Sequence, residues 1–141
     1  MRWMLPCLLV SSALCGCSSS STSRGGEPAA QEAASGACPL EKIRVTQATG
    51  CLSDGSLEFC VPKEDVQLAA RLRALVPTLR TGESRGRAGC DPSRETLYFF
   101  DTGSNGSCVD DTKAMTDAAW EKVCRIAAEP AIQQIVPTWY E

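Results

Sequence analysis

The residues of this chain that could do chemistry are concentrated in one stretch, Asp101–Thr112, which follows the apolar run at residues 96–100. Four side chains there carry oxygen atoms that suit a calcium ion: Asp101, Asn105, Asp110 and Asp111. Two further positions of the usual calcium-loop pattern hold Gly103 and Thr112 instead of an acid or amide. The pattern predicts a weak calcium site, and the alternative is a loop without function, because Asp-Thr-Gly and Asn-Gly form turns.

The start of the same stretch is similar to the active-site signature of the aspartic proteases, an apolar strand that runs into Asp-Thr-Gly-Ser, here residues 97–104. The resemblance implies that Asp101 is a catalytic carboxylate supported by Thr102 and Gly103. That chemistry needs two carboxylates that share a proton, so a single copy could act only in a homodimer. The family also needs a segment of two apolar residues and a glycine after the catalytic strand, and no glycine follows Gly106 in this chain. A hydrolase centred on Asp101 is kept as an alternative, and no enzyme activity is expected.

Other kinds of catalysis are excluded by residue type. The chain contains no histidine, so a single chain cannot form a Ser-His-Asp triad, a Cys-His pair or a histidine-ligated metal site. There is no Cys-x-x-Cys, which argues against a thioredoxin-like redox motif and a common zinc knuckle. The glycines at 82, 86 and 89 lack the Lys-Ser/Thr of a phosphate-binding loop.

Charge is unevenly distributed along the chain. Between Arg71 and Arg94 six arginines face two acidic residues, whereas from Glu95 onward eight acidic residues face three basic ones. Four arginines are candidate contacts for an anion: Arg80, Arg85, Arg87 and Arg94. They could meet lipopolysaccharide phosphates or an acidic partner, and the alternative is a solvated loop. The overall net charge of -3 argues against nucleic-acid binding.

The first seventeen residues have the pattern of a secretory signal. Arg2 is their only charged residue, an apolar run covers residues 3–10, and small residues precede Cys17. This order of basic, apolar and small segments is typical of an export signal. The run is also shorter than the about 20 residues that span a bilayer.

The end of this segment, residues 14–17 (Leu-Cys-Gly-Cys), resembles the bacterial lipoprotein signal, which reads Leu, a small residue, Gly or Ala, then Cys. The resemblance implies removal of residues 1–16, a diacylglyceryl thioether on Cys17 and acylation of the new amino terminus. Several acyl chains on one residue anchor a protein firmly in a membrane. Ser18 stands where Asp often marks inner-membrane retention, so the resemblance favours the outer membrane. The alternative is simple secretion with cleavage near Ala13.

The cysteines that remain after such processing are even in number. Two are removed with the signal, Cys17 takes the lipid, and six are left: Cys38, Cys51, Cys60, Cys90, Cys108 and Cys124. An even count in an exported domain predicts three disulfides, with fifteen possible pairings. Residues 17–37 contain no other apolar side chain larger than alanine, so we expect them to be the lipidated cysteine and a flexible tether. Residues 38–141 are then the folded domain.

Two helices are predicted in that domain. The first begins near Pro62, carries leucines at helical spacing from Leu68 onward, and stops near residue 76, before Pro77. The second spans about Asp111–Ala128, with caps offered by residues 110–112.

Strands are predicted at residues 42–46, at residues 96–100 and within the tail 131–141. Residues 96–100 are apolar on both faces, which is typical of a central strand. Cys51–Cys60 is predicted as a hairpin with two competing turns, at residues 54–55 or at residues 55–56. The second turn is favoured and would place Cys51 opposite Cys60, in bridging range. Together these elements predict an α+β fold, a small and mainly antiparallel sheet with two helices and three disulfides.

The sequence therefore predicts a membrane-anchored envelope lipoprotein whose exported domain is a non-enzymatic binding or accessory module, such as an inhibitor or immunity protein. Its expected partners are the membrane, through the lipid, and an envelope or extracellular macromolecule. The domain is expected in the periplasm or at the cell surface, and no cofactor is expected apart from calcium at the weak site. A passive structural lipoprotein and an Asp101-centred hydrolase or calcium-binding domain are the alternatives.

Overall fold

The computed structural model describes residues 36–52, 56–103, 106–110 and 112–138. They form the predicted α+β fold, in which a four-stranded antiparallel sheet carries two helices. The elements in chain order are a 3-10 helix (Leu40–Lys42), β1 (Ser56–Pro62), α1 (Val66–Leu75), β2 (Arg80–Gly82), β3 (Glu95–Asp101), α2 (Asp117–Ala128) and β4 (Val136–Pro137). The order of strands across the sheet is β2-β3-β1-β4. No helix in the described ranges is long and apolar enough to cross a membrane.

Strand β3 is internal and apolar on both faces, as predicted. Tyr98 and Phe100 point into the larger core, which also contains the buried faces of β1, α1 and α2. Leu97 is buried and Phe99 half-buried on the opposite face, in a second cluster with Ala88 and Cys90. Because successive side chains of a strand alternate between faces, both sides of the sheet need a cover. The helices cover one face, and the loop before β3 covers the other.

The helix predictions are right in number and differ at the starts. The Asp65 carboxylate accepts a hydrogen bond from the Leu68 N–H at 2.8 Å and caps α1, which ends before Pro77 as predicted. Pro62 is the last residue of β1 and does not begin the helix. Helix α2 starts at Asp117, because the Thr116 hydroxyl caps it at the Ala119 N–H.

The predictions for the first strand and the hairpin are wrong. Residues 42–46 do not form a strand, and this segment makes only a single parallel bridge, between Ile43 and Ile135. Residues 56–62 do form a strand, but all seven pair with β3. Pairing with a long apolar strand buries Leu57, Phe59 and Val61 completely. The short first strand of the predicted hairpin could not bury them. The tail prediction is confirmed for the two residues of β4, and residues 139–141 lie outside the described part.

The prediction of three disulfides is confirmed, with the pairs Cys38–Cys124, Cys51–Cys108 and Cys60–Cys90. The favoured Cys51–Cys60 bridge is wrong. Cys60 lies inside β1 and packs in the second cluster, where the following loop brings Cys90 to it. Cys51 lies in a turn and reaches Cys108 on the loop that follows β3.

Candidate binding surface

The loop between β2 and β3, residues 83–94, is called the arginine loop here, and its backbone rests on a buried carboxylate. Glu58 is only 2% exposed. Its Oε1 atom accepts the N–H of Ala88 at 2.8 Å and the N–H of Arg87, and its Oε2 atom accepts the Thr138 hydroxyl at 3.3 Å. A buried carboxylate is tolerated only when such donors satisfy it. Glu58 therefore fixes the position of the loop backbone.

A glycine allows the arginine loop to approach the sheet this closely. Gly86 has φ +56°, in the left-handed region that favours glycine. A Cβ atom there would lie 2.7 Å and 2.9 Å from the two Leu97 Cδ atoms and 3.0 Å from Glu58 Oε1. Position 86 thus has no room for a side chain while the loop keeps its contact with Glu58.

The second half of the arginine loop is fixed covalently and by hydrogen bonds. Cys90 is fully buried and bonded to Cys60 of β1. Its N–H also donates to the Arg85 carbonyl at 2.8 Å. From the neighbouring tail, the Gln134 amide donates to the Ala88 carbonyl at 2.9 Å. The loop is therefore attached to β1 by both a disulfide and a carboxylate.

The four predicted anion contacts do not share one environment. Arg85 and Arg87 are exposed on the arginine loop. Arg80 lies on β2, with its guanidinium carbon 5.4 Å from the centre of the Phe99 ring. Arg94 is paired with Asp91, with 3.0 Å between its Nε atom and the Asp91 Oδ2 atom. Its charge is thus compensated locally, which weakens it as a contact for an external anion.

The turn around Asp91 also perturbs that carboxyl. The Ser93 hydroxyl and the Ser93 N–H donate to the Asp91 carboxylate at 2.6 Å and 2.9 Å, and Arg94 lies beside it. These hydrogen bonds, assisted by the arginine, lower the pKa of Asp91 to about 2. The carboxylate therefore stays charged, and paired with Arg94, well into acid.

Two side chains of this surface were missed by sequence reasoning. Arg73 of α1 places its guanidinium carbon 6.0 Å from the centre of the Tyr98 ring. Glu58 lies within the predicted Cys51–Cys60 hairpin, a prediction that gives it no functional role. Its one sequence signal is an acidic residue between two apolar residues, Leu57 and Phe59, and alternation of that kind ordinarily indicates a solvent-facing position.

The candidate calcium loop gives a different picture. The Asp101 carboxylate accepts the Gly103 N–H at 2.9 Å, which is an ordinary turn contact. Asp110 is exposed, and Asn105 and Asp111 lie outside the described residues. Among described residues, three metal-ligand atoms come within 4.8 Å of one another only at Cys60, Cys90 and Glu95, where the two sulfurs form a disulfide. The calcium site stays a prediction, as does the Asp101 hydrolase.

An open groove lies beside the loop that follows β3. It is lined by residues of two segments: Gln47, Ala48, Val109, Ala114, Met115, Thr116 and Asp117. The Gln47 amide donates to the Asp117 carboxylate at 2.7 Å across these segments. Its described lining residues are mostly apolar in type and include one charged residue, Asp117, so the arginine loop remains the stronger candidate for binding a charged partner.

Comparison with known proteins does not identify a relative: no family model, no curated protein and no solved structure matches this chain. The candidate surface therefore has to be judged on its own geometry.

Proposed function

We propose that this protein is a lipid-anchored envelope protein whose exported domain is a non-enzymatic binding or accessory module. The anchor would be at Cys17, which lies outside the described residues, and its support is the lipoprotein-like signal. The six other cysteines of the mature chain pair as three disulfides, which suits an oxidising compartment outside the inner membrane. The outer membrane is the favoured location, with the domain in the periplasm or at the cell surface.

The observation that carries the binding role is the arginine loop. Its backbone is held by Glu58 and by the Cys60–Cys90 disulfide, while Arg85 and Arg87 are exposed. A loop that is already ordered loses less conformational entropy on binding, so more of the contact energy remains as affinity. A passive structural protein has no need of an ordered cationic loop, whereas a binding module, such as an inhibitor or immunity protein, would contact its partner through one.

The anchor can be tested with the full chain in a bacterial host. Metabolic labelling with a palmitate analogue should mark the wild-type protein, which should fractionate with the outer membrane. The Cys17→Ser variant should lose the label and the membrane association. Label that persists in this variant, or a wild-type protein that is released without label, would contradict the proposal.

The binding role can be tested by chemical cross-linking of the full chain in living cells. We expect a specific cross-linked partner that disappears in the Arg85→Glu/Arg87→Glu double variant. The control is Asp101→Asn, which alters the loop after β3 and should keep the partner. Loss of the partner in Asp101→Asn alone would move the site to that loop.

A further inference from the structure

We propose that the β2 edge of the sheet, together with Arg73 and Arg80, binds an extended acidic segment of a partner protein, which adds beside β2 as a further strand. The inference rests on the proposed binding role, since it names the surface and the chemistry of the partner. The arginine loop, with Arg85 and Arg87, follows β2 directly in the chain.

The backbone at this edge is open in the described part of the chain. Among the described strands, β2 (Arg80–Gly82) is the last on its side and pairs only with β3. Arg80 and Thr81 are exposed. An edge strand offers N–H and C=O groups in the pattern that another extended chain needs for strand addition.

Arginines flank this edge on both faces of the sheet. Tyr98 and Phe99 are neighbours on β3, so their rings point to opposite faces. Arg73 lies over the Tyr98 ring and Arg80 over the Phe99 ring, at 6.0 Å and 5.4 Å. Contact with an aromatic ring favours a guanidinium at that position. The edge therefore carries one positioned cation above the sheet and one below it.

This arrangement selects the chemistry of the partner. Side chains of an added strand would also alternate between the two faces, so consecutive Glu or Asp residues would meet Arg73 and Arg80 in turn. Arginine and carboxylate form strong charge-assisted hydrogen bonds. Lipid phosphates in a membrane form a flat surface and could approach only one face at a time. The two-sided placement favours a protein segment over a membrane.

The same features have a second explanation, which the experiment must separate. Short edge strands with charged side chains also protect sheets against edge-to-edge aggregation. If Arg73 and Arg80 serve only that purpose, they contribute nothing to binding, and Arg73→Glu/Arg80→Glu leaves peptide binding unchanged.

The test uses the mature chain from residue 17 with Cys17→Ser and a labelled peptide, Thr-Val-Glu-Glu-Val-Glu-Glu-Val-Thr. Two further peptides carry N-methyl groups at the odd or at the even positions. Fluorescence anisotropy at low ionic strength should show saturable binding of the parent peptide that weakens with salt. One methylated peptide should bind at least about tenfold more weakly, because an added strand donates alternate N–H groups to its neighbour.

Variants connect that binding to the two arginines. Arg73→Glu/Arg80→Glu should weaken peptide binding by at least about tenfold, since two attractive contacts become repulsive. The matched control is Arg44→Glu, an exposed residue near Ile135 on the β4 side of the sheet. It should bind the peptide as the wild type does. Circular dichroism and thermal unfolding confirm that each variant is folded.

Three results of the peptide experiment would overturn the inference. These are no saturable peptide binding, equal binding of both methylated peptides, and unchanged binding by Arg73→Glu/Arg80→Glu. Binding to phosphatidylglycerol vesicles in place of the peptide would identify a membrane contact and also overturn it. If the cross-linked partner persists in Arg73→Glu/Arg80→Glu, the binding role stands and this inference alone fails.

Discussion

The two loops that flank β3 are both closed by disulfides, yet they are held in different ways. The arginine loop, before β3, is bonded through Cys90 to Cys60 inside the sheet and receives the Glu58 carboxylate on its backbone. The loop after β3, which runs to Thr116, is bonded through Cys108 to Cys51, a residue in another turn. The first loop is thus bonded to the sheet itself, whereas the second is bonded to a neighbouring turn and enters the larger core through Met115.

The charges of the two loops differ as well. The exposed charged side chains of the arginine loop are Glu83, Arg85, Arg87 and Arg94, and those of the described part of the loop after β3 are Asp110 and Lys113. The comparison indicates that a loop with two exposed arginines is attached to the internal strand β1 by a disulfide and a buried carboxylate. Four changes test this difference, and they are given in order of decreasing effect.

The largest effect is expected from removing a disulfide. Chain entropy alone predicts that Cys51–Cys108, with a sequence separation of 57, stabilises slightly more than Cys60–Cys90, with a separation of 30. We expect the opposite order. Cys51→Ala/Cys108→Ala should lower the free energy of unfolding by about 3 kcal/mol, and Cys60→Ala/Cys90→Ala by at least about 4 kcal/mol, because Cys90 is fully buried. Urea unfolding measures both free energies. A larger loss of stability in Cys51→Ala/Cys108→Ala than in Cys60→Ala/Cys90→Ala would contradict the comparison.

The next effect concerns the carboxylates beneath the two loops. Glu58→Ala should lower the free energy of unfolding by about 3 kcal/mol, because it leaves the buried Ala88 N–H and the Arg87 N–H without their acceptor. Asp101→Ala should cost about 0.5–1 kcal/mol, since among the described residues it is the exposed Gly103 N–H that loses its partner. Glu58→Gln keeps a carbonyl oxygen and should recover part of the loss. If Glu58→Ala and Asp101→Ala lower the free energy of unfolding equally, the arginine loop does not depend on Glu58.

A smaller effect is expected at two glycines with similar backbone angles. Gly86 and Gly106 have φ +56° and +68°, so an alanine at either position strains the backbone by about 1 kcal/mol. Only Gly86→Ala also places its Cβ atom against Leu97 and Glu58, while the site at Gly106 is open. Gly86→Ala should therefore cost about 2 kcal/mol or more and Gly106→Ala about 1 kcal/mol. Thermal unfolding of the two variants provides the check, and similar values would mean that the arginine loop can move away from the sheet.

The smallest effect is a dependence on pH at the end of the arginine loop. The pKa of Asp91 is lowered to about 2 by Ser93 and Arg94, so this carboxylate stabilises the fold above about pH 4, its unfolded pKa. The contribution is lost as the pH falls from about 4 to 2. Asp91→Asn should flatten the stability profile of the protein in that range, measured by urea unfolding at several pH values. If Asp91→Asn leaves the pH dependence of the free energy of unfolding unchanged in that range, the Asp91 carboxylate does not stabilise the fold through Ser93 and Arg94.

The parts of the fold that follow from local pattern could be predicted from the sequence. Local residue patterns predict three features: helix α1 from its leucine spacing, strand β3 from its apolar run, and three disulfides from the even cysteine count. The pairing of β1 with β3 depends on residues about forty positions apart, and a local hairpin such as the one predicted with a turn at residues 55–56 competes with it in any sequence reading. The error in the Cys51 pairing follows directly from that competition.

The candidate surface was only partly predictable for the same reason. The arginines could be seen in the sequence, but their environments depend on tertiary contacts with Tyr98, Phe99 and Asp91. Glu58 could not be recognised, because an acidic residue in a strand usually faces solvent and this one is covered by a distant loop.

The central claim is that the arginine loop has its shape before any partner binds. Amide hydrogen exchange of the mature chain, followed by NMR, tests it directly at the Arg87 and Ala88 N–H groups. We predict that both exchange as slowly as core amides of β1 and β3, and that Glu58→Gln accelerates them more than it accelerates the β3 amides. Exchange of these two amides at the rate of an unstructured chain in the wild type would contradict the account.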